Sequence, residues 1–435
     1  MAREMKDSGI EWIGEIPNDW KIGRTKNCYV NHKDIVGGAA DDYERLALTL
    51  NGVIKRPKDD STGLQPEAFN GYQILREHEL VFKLIDLANI ATSRVGYSPY
   101  LGLVSPAYIV LHPYEEDESK YGVYYFLSMW QREIFNHMGD DGVRSSLNAG
   151  DLLNIPYPII PIEDRERIVS FLDVECSRID SVIEQTRTSI EEYKKLKQAV
   201  ITQAVTKGIR PNRQTKDSGV KWIGYIPVDW NRVKLKYYST IRSGITLGKV
   251  YPTGTELFEY PYLRVANVQG SHTDLSDVAV IKVTKEEAIK YRLQSGELLM
   301  TEGGDRDKLG RGSVWHAEID PCLHQNHVFA LHTNEDRLLA EYLSYITDSY
   351  VGRDYFDVTA NQSVHLASTN STTIMNFMIP FPSIEEQKEI VAYLDERVKG
   401  IDICIEQKNK LISELNSYKK SLIYEYVTGK KEVPA

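Results

Sequence analysis

Between residues 172 and 204 a spaced set of positions recurs at alternating steps of four and three: Leu172, Cys176, Ile179, Ile183, Thr186, Ile190, Tyr193, Lys197, Val200 and Ala204. The alternation returns in Leu394, Val398, Ile401, Ile405, Lys408, Ile412, Leu415, Lys419, Leu422 and Tyr426. A mean step of 3.5 held over many turns is the seam of a coiled coil, because it keeps one stripe of each helix facing a partner. The polar interruptions fall at matching places, Thr186 with Lys408 and Lys197 with Lys419. Each stretch predicts one helix of about 44 residues, about 65 Å long. A helix of that length overruns a domain of this size. The expected packing is therefore seam against seam, antiparallel about a pseudo-dyad, rather than each seam closing on its own domain.

The ends of these helices are marked. Pro380 and Pro382 stop what precedes the second, and Ser383 with Glu386 has the form of a capping box. Gly208 and Gly429 sit where a helix C-cap belongs. The helices also belong to a repeat. Pro158–Asp173 matches Pro380–Asp395, Ile179-Asp180 matches Ile401-Asp402, and Val205-Thr206 matches Val427-Thr428, all 222 residues apart. A stronger repeat precedes each half: Lys6-Asp7-Ser8-Gly9-Ile10-Glu11-Trp12-Ile13-Gly14-Glu15-Ile16-Pro17-Asn18-Asp19-Trp20 returns without a gap at Lys216–Trp230. The chain is an internal duplication, and a pseudo-dimer points to a two-fold target. Trp12, Trp20, Trp222 and Trp230 read as packing anchors of this repeated frame.

Two blocks between the repeats, about 21–154 and 231–376, show no resemblance to each other in sequence. Both read as mixed α/β, with strand-like runs at Leu80–Leu84, Tyr108–His112, Tyr262–Val265 and Val328–Leu331. The predicted fold is α+β: two mixed α/β heads held apart by two long antiparallel helices. The boundaries are 1–154 for the first head, 155–208 for the first helix, 209–376 for the second head and 377–435 for the second helix.

Charge narrows the function. The net charge is −10 and the pI about 5.6, so the chain does not grip nucleic acid by bulk charge. No window approaches the ~18 consecutive apolar residues of a membrane span, and the hydrophilic start lacks a signal-peptide core. Cys28, Cys176, Cys322 and Cys404 form no CxxC pair, which fits a reduced, cytoplasmic setting.

Catalytic signatures are missing. Gly244-Ile245-Thr246-Leu247-Gly248-Lys249-Val250 has one residue too few for a phosphate loop, and Val where Ser or Thr must meet magnesium. Gly303-Gly304 opens no helix, so a dinucleotide site is equally poor. Cys322, His324 and His327 lack the paired spacing of a zinc site. Neither the Asn/Asp-Pro-Pro-aromatic tetrapeptide of amino-methyltransferases nor a Pro-Asp…Glu-x-Lys nuclease pattern occurs. The expectation is a recognition part without catalytic, cofactor or metal residues of its own.

The doubled Asp-Ser-Gly-x-x-Trp-Ile-Gly-x-Ile-Pro-x-Asp-Trp motif resembles the opening of the specificity subunit of type I restriction-modification enzymes. Ile379–Asp395 is similar to the start of that family's spacer helices. Tyr262-Leu263-Arg264-Val265-Ala266-Asn267-Val268 and Leu293-Gln294-Ser295-Gly296-Glu297-Leu298-Leu299 are similar to segments of its target-recognition domains. The chain departs from the pattern in the first head, which lacks a Tyr-Leu-Arg-x-x-Asn segment, and at Asp164-Arg165, which replaces Glu-Gln. The resemblance implies a subunit that binds a split DNA site, each head reading one half while the helices fix the gap. It implies double-stranded DNA, two adenine-N6 methyltransferase subunits and two motor-nuclease subunits as partners. S-adenosylmethionine, ATP and magnesium would belong to those partners. The competing expectation is a coiled-coil interaction scaffold without DNA specificity.

Arg, Asn and Gln make bidentate base contacts, and Gly lets backbone approach a groove. On that chemistry the candidate DNA-reading residues are Arg264, Asn267, Gln269, Arg306, Lys308 and Arg311 in the second head. In the first they are Asn51, Lys55, Arg56, Lys58, Thr92, Ser93, Arg94 and Tyr97.

Overall fold

The computed structural model describes residues 3–50, 52–60, 68–85, 87, 94–138, 146–270, 272–304, 309–362 and 367–434. It divides into two compact units: Met1–Thr186 with Lys410–Ala435, and Arg187–Asn409. Each unit is one head together with part of both long helices, which run over Ile162–Lys207 and Ile384–Val427. The predicted division treats helices and heads as separate pieces; packing groups each head with the helix turns it covers.

Within each unit the two helices run antiparallel. In the first, Phe171 packs on Tyr426 with ring centroids 4.5 Å apart, and farther along Asp180 receives the Lys419 ammonium at 2.6 and 2.7 Å. In the second, the Lys408 ammonium lies 5.5 Å from the Tyr193 ring, and Lys197 reaches both oxygens of Asp402 at 2.8 Å. Lys197 and Lys419 are thus the cross-helix ion pairs of the seam. Thr186 is buried, its hydroxyl donating to the Val182 carbonyl at 2.7 Å. Leu172, Ile179, Ile183 and Leu422 are buried in the first-unit core, with Ile412 against it. Leu394 is buried in the second-unit core, with Val200 against it. Ile190 and Ile401 are also buried, and Ile405 is half-buried. Burying an Ile or Leu side chain contributes about 1.5–3 kcal/mol.

The heads share a sheet that their sequences do not. In the first, an antiparallel sheet runs in the order Tyr29–Asn31, Ile109–Pro113, Leu80–Phe82, Val95–Tyr97. In the second, the order Ser239–Ser243, Val328–Thr333, Leu298–Thr301, Gly312–Val314 repeats it strand for strand. Register is kept too: Leu111 sits opposite Asn31 and Leu80, as Leu331 sits opposite Ile241 and Leu298. The blocks show no resemblance in sequence, yet they share this topology. The duplication extends into the heads, because a strand needs only half-buried apolar residues at alternate positions, not particular ones. The heads diverge around that sheet. The first adds a hairpin, Leu46–Thr49 with Gly52–Lys55, and the second a three-stranded sheet with helix Lys285–Tyr291.

The repeated motif forms the same hairpin twice, Met5–Asp7 with Glu15–Pro17 and Thr215–Asp217 with Tyr225–Pro227. The strand after each motif pairs with the strand that leads into a long helix: Lys21–Arg24 with Pro156–Ile159, and Asn231–Lys234 with Met378–Phe381. Both long helices stop at a left-handed glycine, Gly208 at φ 74° and Gly429 at φ 70°. The capping box at Ser383 is half made. The Glu386 amide donates to Ser383 Oγ at 3.3 Å, but the Glu386 carboxylate is engaged elsewhere.

Candidate nucleic-acid interface and the frame that holds it

The carboxylate that leaves the capping box joins a cluster that occurs twice. In the first unit the Trp20 indole N–H donates to Asp164 at 3.0 Å. Arg3 bridges Asp19 at 2.7 Å and Asp164 at 2.5 Å, with its guanidinium 5.5 Å from the Trp20 ring centre. In the second unit the Trp230 N–H donates to Glu386 at 2.9 Å. Arg213 bridges Asp229 and Glu386 and lies 5.6 Å from the Trp230 ring centre. The Arg213 guanidinium holds the Asp229 carboxyl below its ordinary range.

The next helix residue pins each head. Arg165 is buried, paired with Glu118 and with Glu115 at 3.2 Å; the Tyr157 hydroxyl donates to Glu118 at 2.6 Å. Gln387, fully buried, accepts from the Leu339 amide at 3.0 Å and donates to the carbonyls of Arg337 and Pro382. The Asp-Arg departure from Glu-Gln therefore keeps the same job with different chemistry. Tyrosines repeat it: Tyr121 donates to the Val427 carbonyl and Tyr124 to Asp173, as Tyr342 donates to Val205 and Tyr345 to Asp395.

The candidate reading residues fare unevenly. Asn51, Thr92, Ser93, Arg306 and Lys308 lie outside the described residues. Arg94 is fully buried and donates to the carbonyls of Ile85 and Leu87, so it fastens its loop from inside. Asn267 is 3% exposed: its carbonyl accepts from the Arg264 amide, and its amide donates to Asp274 and Asp277 carbonyls at 2.9 Å. Its hydrogen-bonding capacity is spent within the loop. Lys55 pairs with Glu44, Arg56 with Asp60 and Arg264 with Asp277; Lys58 donates to the Ala40 carbonyl. The Tyr97 hydroxyl meets His78 at 2.8 Å and Gln269 donates to the Ala266 carbonyl. Among the described candidates Arg311 is the one cationic side chain with no hydrogen-bond partner. Gly270 leaves room for it, since a Cβ there would stand 3.0 Å from Arg311 Cδ.

Two features escaped the sequence. Leu75-Arg76-Glu77-His78-Glu79-Leu80-Val81 is the first head's version of Leu293–Leu299. Glu79 and Glu297, both nearly fully buried, accept from the amide three residues back at 2.6 and 2.8 Å, across turns with His78 or Gly296 at positive φ. The Leu-x-x-x-Glu-Leu spacing was the available signal. Lysines also stack on aromatics in the lobe added to the second head: Lys285 on Phe258, Lys249 on Tyr251 and Lys290 on Tyr291. They are basic and aromatic, the pairing a nucleic acid favours.

The other sequence candidates take up ordinary contacts. Gly244 is pressed on the His324 carbonyl, and Lys249 pairs with Glu287. Cys322, His324 and His327 turn to separate partners, Leu323, Val328 and Glu302. Burial pushes the Cys322 thiol up to about 12 and His324 down to about 4, leaving His324 neutral. No group of three His, Cys, Asp or Glu side chains among the described residues is placed to hold a metal ion, and no described helix is long and apolar enough to cross a membrane.

Known proteins match this arrangement. Residues 227–415 match the type I restriction modification DNA specificity domain. A Methanocaldococcus jannaschii protein, provisionally named the type I restriction enzyme MjaX specificity subunit, is 28% identical over 208 residues. That match spans about half the length of either chain, 47%. The type I restriction enzyme EcoKI specificity subunit of Escherichia coli K12 is 24% identical over 447 residues, covering 96% of this chain and 90% of that one. The fold resembles a chain solved in work on complex assembly and conformational transition of the type I R-M system. The TM-score is 0.68 at 15% identity, over 96% of this chain and 99% of that chain. Residues 227–415 thus match a type I restriction modification DNA specificity domain, and with the doubled motif, the paired helices and the twin heads the whole chain resembles the type I restriction enzyme specificity subunits.

Proposed function

We propose that this chain is the sequence-specific DNA-binding subunit of a type I restriction-modification complex and has no catalytic activity of its own. Residues 1–154 and 209–376 each read one half of a bipartite, asymmetric site, and 155–208 and 377–435 set the gap between halves. The frame docks two adenine-N6 methyltransferase subunits, and two motor-nuclease subunits join for restriction. S-adenosylmethionine, ATP and magnesium are bound on those subunits, in the cytoplasm. The observation that carries this reading is the repetition of one frame and one sheet order around surfaces that differ. A symmetric frame suits identical partners, and unlike surfaces suit unlike half-sites. Because each mismatched base pair costs roughly 1–3 kcal/mol, one head reading a few base pairs discriminates little, and two linked heads add their readouts.

Methylome sequencing of the host with and without the gene tests it. The expected result is loss of N6-methyladenine at one bipartite, asymmetric motif; an unchanged methylome in a strain with active partners rejects the reading. Arg311→Ala is expected to weaken binding of the cognate duplex and to lower the slope of log affinity against log salt by about one if Arg311 meets a phosphate. An unaltered affinity and slope would remove Arg311 from the interface.

A further inference from the structure

The two clamps offer more than adhesion. Each joins three segments: the end of the repeated motif, the first turn of one long helix and the last turn of the other. In the first unit Trp20 meets Asp164 by its N–H, and a Cβ on Gly429 would come within 3.0 Å of its ring and 2.5 Å of Pro17. In the second, a Cβ on Gly208 would stand 3.3 Å from Trp230 and 3.2 Å from Glu386 Oε1. The strand that follows each tryptophan then pairs with the strand that enters the helix, so the junction is closed on both sides. The geometry survives a change of side chain, Asp164 against Glu386, and survives the divergence of the heads. What is retained is a direction. Apolar contacts let a packed head rock, whereas a charge-assisted bond and an indole N–H fix an angle.

We propose that Arg3, Asp19, Trp20 and Asp164, with Arg213, Asp229, Trp230 and Glu386, are positioning residues that fix the angle of each head on the helix ends and so determine how strictly the gap between half-sites is measured. The inference rests on the bipartite reading above. One added base pair moves a half-site by about 3.4 Å and turns it by about 35° around the duplex, since a helical turn takes 10–10.5 pairs. A head held at a fixed angle rejects that displacement; a head free to swivel tolerates part of it.

The test uses the chain assembled with its methyltransferase partner and carrying Trp20→Phe and Trp230→Phe together, which removes both N–H groups and keeps both rings. Binding is measured on duplexes with the cognate half-sites at the cognate gap and at gaps one base pair shorter and longer. The preference for the cognate gap should fall about tenfold, the order expected for losing hydrogen bonds to charged acceptors, while the penalty for a mismatch inside either half-site stays as in the wild type. An unchanged gap preference in the folded variant overturns the proposal. So does an equal loss at all three gaps with a lowered Tm, which marks a purely structural role, and so does loss of partner assembly with gap preference intact. If the double variant does not fold, Arg3→Lys with Arg213→Lys keeps the charges, removes the fork that bridges two carboxylates and carries the same expectation. A wild-type complex that binds an isolated half-site as tightly as the bipartite duplex rejects the bipartite reading instead.

Discussion

Arg165→Ala is expected to destabilise the first unit by about 3–5 kcal/mol, the usual cost of removing one partner of a buried ion pair. Arg165 and Glu118 side chains are 6% and 10% exposed. Without the guanidinium, Glu118 keeps the Tyr157 hydroxyl but remains a buried carboxylate with no cation against it. Chemical denaturation followed by fluorescence checks the result, and the transition assigned to the first unit should move while that of the second stays. The counterpart Gln387 makes its three bonds without charge, so Arg165→Gln should not rescue fully: its shorter amide does not reach as Arg does to both Glu115 and Glu118. A variant within about 1 kcal/mol of wild type, smaller than that cost, would show that Glu118 finds water or another partner.

Seven residues inserted at the middle of each long helix are expected to lengthen the recognised gap by about three base pairs and leave both half-sites unchanged. Seven residues preserve the seam, because two turns of a 3.5-residue repeat return the same face. They add about 10 Å, which is about three steps of 3.4 Å along DNA. Affinity for the original site should fall at least about a hundredfold, since one half-site no longer meets its head and each lost base pair is worth about 1–3 kcal/mol. Sequencing the methylated motif of a strain carrying the insertion reads both quantities. Changed half-sites, or the original gap retained, would mean that the helices do not measure the spacing.

How far the sequence reached depended on whether a feature is local. The seam positions recur at a period set by one helix, and Ile179, Ile183, Leu394 and Ile401 are buried where that period puts them. Gly208 and Gly429 mark helix ends for an equally local reason: φ above 70° or near it suits a residue without a side chain. Arg94 and Asn267 carry chemistry that DNA readers share. Arg94 donates to the carbonyls of Ile85 and Leu87, and Asn267 to those of Asp274 and Asp277, acceptors that arrive there by folding. Residue type announces capacity for hydrogen bonds, and only neighbours decide who takes it. Arg3 and Arg213 show the converse. They stand at the same offset as the repeated motif but outside its identical core, and only the approach of Asp164 and Glu386 turns them into clamps.

The sequence by itself determined the duplication, the two long helices, the placement of two heads between repeated frames, and the family resemblance. Each is written in identity or in a period, quantities that depend on the chain alone. Tertiary structure decided that the heads share one sheet order, that the seam lysines pair across to Asp180 and Asp402, and that Trp20 and Trp230 donate to helix carboxylates. Among the described candidate residues it left Arg311 without a hydrogen-bond partner. The ion pairs and indole bonds join residues more than a hundred positions apart, and no local spacing encodes which carboxylate or carbonyl a buried donor will meet once the chain has closed.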